Sequence, residues 1–420
     1  MSEWTSKKLR EVIGHPIAGT RPAGGVNTET EGIPSLGGEN ILSDGGITFE
    51  NLNRVPLAFY KSMPRGRLQP LDVLINKDGA QTGKVGLYKG DFLDACVNEH
   101  LFILRNNNGA IDQGFLFYSV LLPETQTKIA RRITGSAQPG LNTTFVNAVD
   151  ILVPVNSGEQ RRIAKILSTL DETIEQTKAL IAKYQEIKVG LMQDLFTRGV
   201  TPDGRLRPTR DQAPHLYKKS PLGWIPKEWK FGVLDGFSDI HNNLRKPISA
   251  EVRETMHGEY PYYGPTGILD YINEFLVEGE FCLIGEDGDH FLKFVEWPMT
   301  ILVRGRFNVN NHAHILSGRN GATTRWLHAF FLNRDITFHL TRQGAGRFKL
   351  NKAALKNLPI CVPDPAEQYE ILDRIEAAQS SIEAQNRQLD KLRQQKHGLM
   401  HDLLTGRVRV KVDESKESSA

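Results

Sequence analysis

Two stretches of the 420-residue chain carry apolar residues at steps that alternate between four and three. In the first they are Ile163, Leu167, Leu170, Ile174, Ile181, Tyr184, Leu191 and Leu195. In the second they are Ile371, Ile375, Ala378, Ile382, Leu389, Leu392, Leu399 and Leu403. This is the heptad seam that lets one helix lie along another. The two stretches superimpose without a gap at an offset of 208, which pairs Gln160 with Gln368, Lys183 with Lys391, and "GLMQDLFTRGV" with "GLMHDLLTGRV". Their polar interruptions coincide too, Thr177 with Gln385 and Lys188 with Lys396. Such interruptions cost stability but fix register and partner orientation.

A helix over 159–197 would be on the order of 57 Å long at 1.5 Å per residue. Pro154 and Pro363 punctuate the approach to each helix, and Gly199 and Gly406 supply the stops. Matched flaws in matched seams predict that the two helices pack on each other as an antiparallel coiled coil.

The segments between the helices alternate differently. Short apolar runs broken by Gly, Asn and Pro read as strands of a mixed α+β domain. They also repeat, more faintly. "LINKDG" (Leu74–Gly79) matches "LIGEDG" (Leu283–Gly288), "NEHLFIL" (Asn98–Leu104) matches "NNHAHIL" (Asn310–Leu316), and "ILVP" (Ile151–Pro154) matches "ICVP" (Ile360–Pro363). "GSAQPGLN" (Gly135–Asn142) answers "GAGRFKLN" (Gly344–Asn351), and Trp4 answers Trp229. Offsets that vary between segments imply loop insertions on a shared framework. The expected order is therefore globule 1–154, helix 155–198, connector 199–226, globule 227–363, helix 364–408 and a polar, disordered tail 409–420.

Composition narrows the class without naming a task. Hydrophobic content of 39% and charged content of 24% are those of a soluble globular protein. No apolar run reaches the roughly 18 residues of a spanning helix, and the N-terminus lacks a signal-peptide core, so a cytoplasmic location is expected. Cys96, Cys282 and Cys361 are far apart and read as buried small hydrophobes. A net charge of +3 permits a polyanionic partner without arguing for one.

Similar helices beside dissimilar globules suggest two copies of one partner and two different ligands. Antiparallel pairing would relate the globules by a pseudo-two-fold axis, and duplex DNA is read with that symmetry. A single chain supplying both halves frees the two half-sites from being palindromic, and the helices become a ruler.

At this point the residues resemble a known family, the specificity subunit of type I restriction–modification enzymes. The resemblance runs from Trp4 to Val408. It is carried by "VPVNSGEQRRIAKIL" and "VPDPAEQYEILDRI", each opening a long helix that ends in "LMQDLFT" or "LMHDLLT", and by "SPLGWIPKEWK" and "YPYYGPTGILDYI". The first copy, "NSGEQ", lacks the extra proline of "DPAEQ". The resemblance implies two target-recognition domains, each reading a few base pairs of an interrupted DNA sequence. It implies two spacer helices that set the unread gap and help dock two methyltransferase subunits. Restriction subunits, where present as a pair, would add cleavage. The chain itself would hold no cofactor: S-adenosylmethionine belongs to the methyltransferase, and ATP and Mg to the restriction partner. No membrane is involved.

Base reading calls for Arg or Lys toward guanine and Asn or Gln toward adenine, with further cations on phosphates. In the first domain the candidates are Lys77, Gln81 and Lys84 on a Gly-rich loop, with Arg131 and Arg132 nearby. In the second they are Arg304, Arg306 and Asn308 in "RGRFNVNN", Arg342, Arg347 and Lys349 in "RQGAGRFK", and Tyr262 and Tyr263 as wedge, stacking or core-filling groups.

Catalytic decoys fail. "GAQTGKV" (Gly79–Val85) is one residue short of a P-loop and has Val where the metal-binding hydroxyl belongs. His312 and His314 stand at i, i+2 without a Cys or carboxylate cluster, the pattern of a strand with one ring outward. No methyl-donor glycine loop is visible. A coiled-coil scaffold without DNA and a self-sufficient modification enzyme remain the alternatives on sequence alone.

Overall fold

The structure is a computed structural model, and it describes residues 3–23, 25, 31–106, 108–135, 139–294, 296–343 and 347–411, with the side chains of 342, 343 and 347 outside the description. The chain divides into two compact units. Unit 1 is Met1–Ala179 with Asn386–Ala420, and unit 2 is Leu180–Gln385. Two long helices, Ser157–Thr197 and Pro365–Leu404, each give one half to each unit.

Unit 1 contains β1 (Trp4–Lys8), β2 (Ile17–Ala18), β3 (Ile33–Leu36), β4 (Asn53–Val55), β5 (Asp72–Asn76), β6 (Val85–Tyr88), β7 (Cys96–Val97), β8 (Leu101–Leu104), β9 (Ile133–Thr134), β10 (Gly140–Leu141) and β11 (Asp150–Pro154). Its main sheet has the order β2-β8-β5-β6, and a smaller one has β4-β3-β7. Every residue of β5 is buried, as befits a central strand covered on both faces. Alternation divides it: Val73 and Ile75 join the core built on helix Gln113–Leu121, while Leu74 joins a second core with Leu36, Tyr88 and Ile103.

Unit 2 contains β12 (Tyr217–Ser220), β13 (Gly223–Pro226), β14 (Lys230–Val233), β15 (Ser238–Ile240), β16 (His257–Tyr263), β17 (Ile268–Ile272), β18 (Val277–Gly285), β19 (Thr300–Val309), β20 (Ala313–Gly318), β21 (Thr341–Gln343), β22 (Arg347–Lys349) and β23 (Pro359–Val362). Its sheet has the order β15-β20-β18-β19-β16-β17, whose first four strands repeat β2-β8-β5-β6. The same division recurs on β18, where Cys282 and Ile284 face the core of helix Thr324–Phe331 and Leu283 faces the other way. The pair β1–β11 is matched by β14–β23. All three cysteines are buried and free.

Within each unit the helix halves run antiparallel. In unit 1, Ile163 and Leu167 share a core with Met400, Leu403 and Leu404; in unit 2, Leu195 shares one with Ile371 and Leu372. The motif that opens each helix has a structural task. Gln160 Nε2 donates to the Pro154 carbonyl at 2.9 Å, and its Oε1 accepts from the backbone of Asp112, the N-cap of helix Gln113–Leu121, at 2.7 Å. Gln368, fully buried, repeats this with Pro363 at 2.8 Å and with Thr323, the N-cap of helix Thr324–Phe331, at 2.9 Å. Gly199 and Gly406 end the helices with φ of 62° and 71°, a conformation that favours glycine.

Of the expected seam, Leu167, Ile174, Ile181, Leu195, Ile382, Leu389, Leu392 and Leu403 are buried, and Leu170, Tyr184, Leu191, Ile375 and Ala378 are half-buried. Leu399 is corrected: it is 37% exposed, and Met400 at 6% takes its place. A helix of 3.6 residues per turn drifts by roughly 20° per heptad, so the buried face slips by a residue late in a long run.

Two segments are more structured than the sequence suggests. The connector 199–226 folds onto unit 2, with Val200, Arg207 and Tyr217 buried and a hairpin formed by β12 and β13. Arg207 forms an ion pair with Glu367, whose Oε1 also accepts from Val200 N at 2.9 Å and Trp229 Nε1 at 3.1 Å. In unit 1 the expected tail begins ordered: Arg409 Nε lies 2.8 Å from Glu159 Oε1, its guanidinium covers Trp4 at 5.6 Å, and Val410 packs on the core. The rest of the tail, 412–420, lies outside the described residues.

Candidate nucleic-acid interface

In unit 1 the loop between β5 and β6 is fastened to the hairpin β9–β10. Leu141 N donates to the Lys77 carbonyl at 2.6 Å, Gly79 N to the Pro139 carbonyl at 2.9 Å, and Asp78 bridges Gly140. "GAQTG" is a turn, closed by Thr82 N on the Gly79 carbonyl at 3.1 Å. The fastening brings the loop carrying Lys77, Gln81 and Lys84 against the hairpin that Arg131 and Arg132 lead into. Gln81 and both arginines are exposed, Lys84 Nζ donates to Gln81 Oε1 at 2.9 Å, and Lys77 is half-buried over the Phe102 ring at 5.6 Å.

Unit 2 repeats the arrangement with other side chains. The loop after β18 is fastened to the hairpin β21–β22: Leu350 N donates to the Glu286 carbonyl at 2.7 Å, and Asp287 bridges Lys349. Lys349 Nζ stands 3.3 Å from Glu286 Oε1. Burial pushes the Glu286 carboxyl up, but hydrogen bonds from Arg245 and Lys349 and the charge of Arg245 hold it below the ordinary range. The side chains of Arg342 and Arg347, on the same hairpin, lie outside the described residues.

The other candidates divide. Arg304 and Arg306 are exposed on β19, each opposite a glutamate of β18, with Arg304 Nε 2.7 Å from Glu280 and Arg306 Nε 3.2 Å from Glu278. Arg306 also covers the Phe275 ring at 4.8 Å. Tyr263 is half-buried, edge-on to Phe307 at 5.8 Å. Asn308 and Tyr262 are corrected, because the parallel pairing of β16 with β19 buries both side chains. Asn308 is fully buried with Nδ2 donating to the Glu274 carbonyl at 2.6 Å. Tyr262 is 1% exposed, and its hydroxyl accepts from Ile248 N and donates to the Lys246 carbonyl, both at 2.9 Å.

Sequence reasoning missed a matched pair beside the two loops. His100 Nδ1 lies 2.5 Å from Asp78 Oδ1, and His312 Nδ1 lies 2.8 Å from Asp287 Oδ2. Each histidine N–H is held by an asparagine two residues earlier, Asn98 at 2.9 Å and Asn310 at 2.8 Å. The signal was present in the aligned segments "LINKDG" with "LIGEDG" and "NEHLFIL" with "NNHAHIL", whose shared columns include these residues. His314, on β20, is buried, and its Nε2 donates to the Leu350 carbonyl, 2.7 Å away. Among the described residues no group of three or more His, Cys, Asp or Glu is placed to hold a metal ion, and no helix is long and apolar enough to cross a membrane.

Each unit thus carries a loop fastened to a hairpin after corresponding strands, β5 in one and β18 in the other. The family described as the type I restriction modification DNA specificity domain matches residues 1–186 and 226–394. The chain belongs to that family. A type I restriction enzyme specificity subunit of Methanocaldococcus jannaschii is 24% identical over 97% of this chain and 94% of that protein. A Haemophilus influenzae chain assigned to the same subunit class is 37% identical, over 36% of this chain and 37% of that one. Among solved structures, the S subunit of a type I restriction–modification system from M. genitalium superimposes with a TM-score of 0.60 at 15% identity, over 96% of both chains. A chain from a study of complex assembly and conformational transition in the type I system gives 0.58 at 16%, over 96% of this chain and 98% of that one. These likenesses identify the fold, and the family match identifies the chain as a type I restriction–modification specificity subunit.

Proposed function

We propose that this specificity chain reads an interrupted, asymmetric duplex DNA site, one half with each unit, and directs adenine-N6 methylation by partner chains. Two methyltransferase subunits, which hold S-adenosylmethionine, take the two similar helix ends. Restriction subunits, which use ATP and Mg, add cleavage. The chain itself contributes no catalytic group. The methyltransferase extrudes the target adenine, because chemistry on a base requires taking it out of the stack. The length of the long helices sets the number of unread base pairs.

The observation that carries this reading is the recurrence of one loop-and-hairpin assembly at matched points of two sheets, furnished with different side chains: Gln81 and Lys84 in unit 1, Glu286 and Lys349 in unit 2. A shared frame with divergent contacts is what two different half-sites call for. The test is selection from a randomised duplex pool by the purified complex of this chain with its methyltransferase. The expected result is one interrupted motif, bound with an affinity that falls steeply with salt as phosphate contacts are screened. Salt-independent recovery of random sequence would favour a scaffold without DNA instead.

A further inference from the structure

Among the buried side-chain atoms without a partner in the described residues, one in each unit stands at the same point of the repeat. In unit 1 it is Asn76 Oδ1, in unit 2 His290 Nε2. The residues are 3% and 7% exposed. Asn76 ends β5 and its counterpart Gly285 ends β18, each preceded by isoleucine and followed two residues later by the paired aspartate. A Cβ on Gly285 would sit 2.6 Å from His290 Nε2. The imidazole therefore fills, from the following loop, the space that the Asn76 side chain occupies in unit 1. Two different residues reach one place by two routes, and both leave an atom unsatisfied there.

Buried polar atoms without partners are rare because nothing repays their lost hydration. Recurrence at matched points of two otherwise divergent domains indicates that the partner comes from outside the chain. Both residues adjoin the aspartates of the His–Asp pairs, Asn76 through the Asp78 carbonyl and His290 through the charge of Asp287. In unit 1 Asn76 lines a cleft of about 330 Å³ with Glu39, Asp78, Gln81 and His100.

We propose that Asn76 and His290 are specificity-determining residues, each hydrogen-bonding one base of the half-site read by its own unit. The inference rests on the two-half-site reading above. The ligand class in unit 1 follows from the chemistry. Asn76 Nδ2 donates to the Asp78 carbonyl at 3.1 Å, which leaves Oδ1 as an acceptor. Its partner is thus a donor, the exocyclic amino group of cytosine or adenine in the major groove or of guanine in the minor. The carboxylates of Glu39 and Asp78 on the same cleft favour an amino group and repel a phosphate. In unit 2 burial holds the His290 imidazole below the ordinary histidine range, against the charges of Asp287 and Asp289. A neutral ring leaves Nε2 to act as donor or acceptor according to its tautomer.

The test uses the full chain co-expressed with its methyltransferase in a host that lacks adenine methylation, with the methylated motif read by modification-sensitive sequencing. Asn76→Ala is expected to make one position of one half-site degenerate, and His290→Phe, which keeps the ring packed on Phe291, one position of the other. The remaining positions and the gap stay as in the wild type. Asn76→Asp, which keeps an oxygen acceptor, retains more of the preference than alanine does. Where a variant methylates too weakly to map, anisotropy of the purified complex on duplexes altered base by base replaces the map. Discrimination at one position should then fall about tenfold or more, the share of one good base contact. An unchanged motif in both variants overturns the proposal, as does a uniform loss of affinity at every sequence. A wild-type chain that directs no motif would instead sink the two-half-site reading itself.

Discussion

Lys396 Nζ lies 2.6 Å from Asp171 Oδ1 across the helix pair of unit 1. The counterpart of this contact, 208 positions along in each partner, is Lys188 Nζ donating to Gln379 Oε1 at 2.8 Å in unit 2. The repeat thus keeps a lysine in each seam and pairs it with a charge in one unit and an amide in the other. Asp171 also accepts from the Tyr118 hydroxyl at 2.7 Å, and burial with Asp171 alongside pushes the phenol well above its usual range.

Asp171→Ala leaves a largely buried ammonium and a phenol without their acceptor, and should cost about 3 kcal/mol in local stability. Gln379→Ala removes a neutral partner and should cost about 1 kcal/mol. Amide hydrogen exchange in the helix halves of each unit measures both. Equal costs would show that the charge on Asp171 contributes nothing.

Glu367 gathers Arg207, Val200 N and Trp229 Nε1, with its side chain 10% and that of Arg207 7% exposed. Glu367→Ala strands a buried guanidinium and should destabilise unit 2 by roughly 3–5 kcal/mol. Glu159→Ala, whose partner Arg409 is 39% exposed, should cost about 2 kcal/mol or less. Urea unfolding of the two variants gives the order, and a larger loss for Glu159→Ala would contradict the burial argument.

His328 is pushed down to about 4 by burial. Its folded value is depressed, so the unfolded chain binds the proton more readily. The stability it contributes is complete above the unfolded value of roughly 6.5 and is lost as pH falls from there towards about 4. The loss should be on the order of 3 kcal/mol over that window. His328→Gln should flatten the fall in denaturation midpoint between those pH values, and an unaltered profile would show that another group governs it.

Arg304 is held by Glu280 at 2.7 Å on an exposed strand pair, so any phosphate it meets must displace a carboxylate. Glu280→Gln should raise DNA affinity and steepen the dependence of log K on log salt by about one unit. Arg304→Ala should do the reverse. Titration at several salt concentrations reads both slopes, and two unchanged slopes would remove Arg304 from the interface.

The long-range frame was legible because it is written in local signals: the heptads, the Gly stops and the Pro-to-Gln segments are each read within a few residues, and each recurs in both copies. Contacts that depend on distant pairing were not. Asn308 and Tyr262 look available in sequence, yet they face each other in the parallel pairing of β16 with β19, which buries both. Arg207 sits in a stretch that reads as connector because its partner Glu367 is 160 residues away. Leu399 holds a strict heptad position, but the real helical period turns it outward. The His–Asp pairs were visible as matched columns, while their contact needed two separate strands to be brought together.

The central claim is that two units of one chain each read half of a DNA site for a methylating partner. The most direct measurement is a methylation map of a host without adenine methylation that expresses this chain with its methyltransferase. The account predicts one interrupted, asymmetric motif, methylated on both strands and absent when this chain is omitted. A soluble, donor-bound complex that leaves the genome unmodified, or that marks an uninterrupted motif, would contradict it.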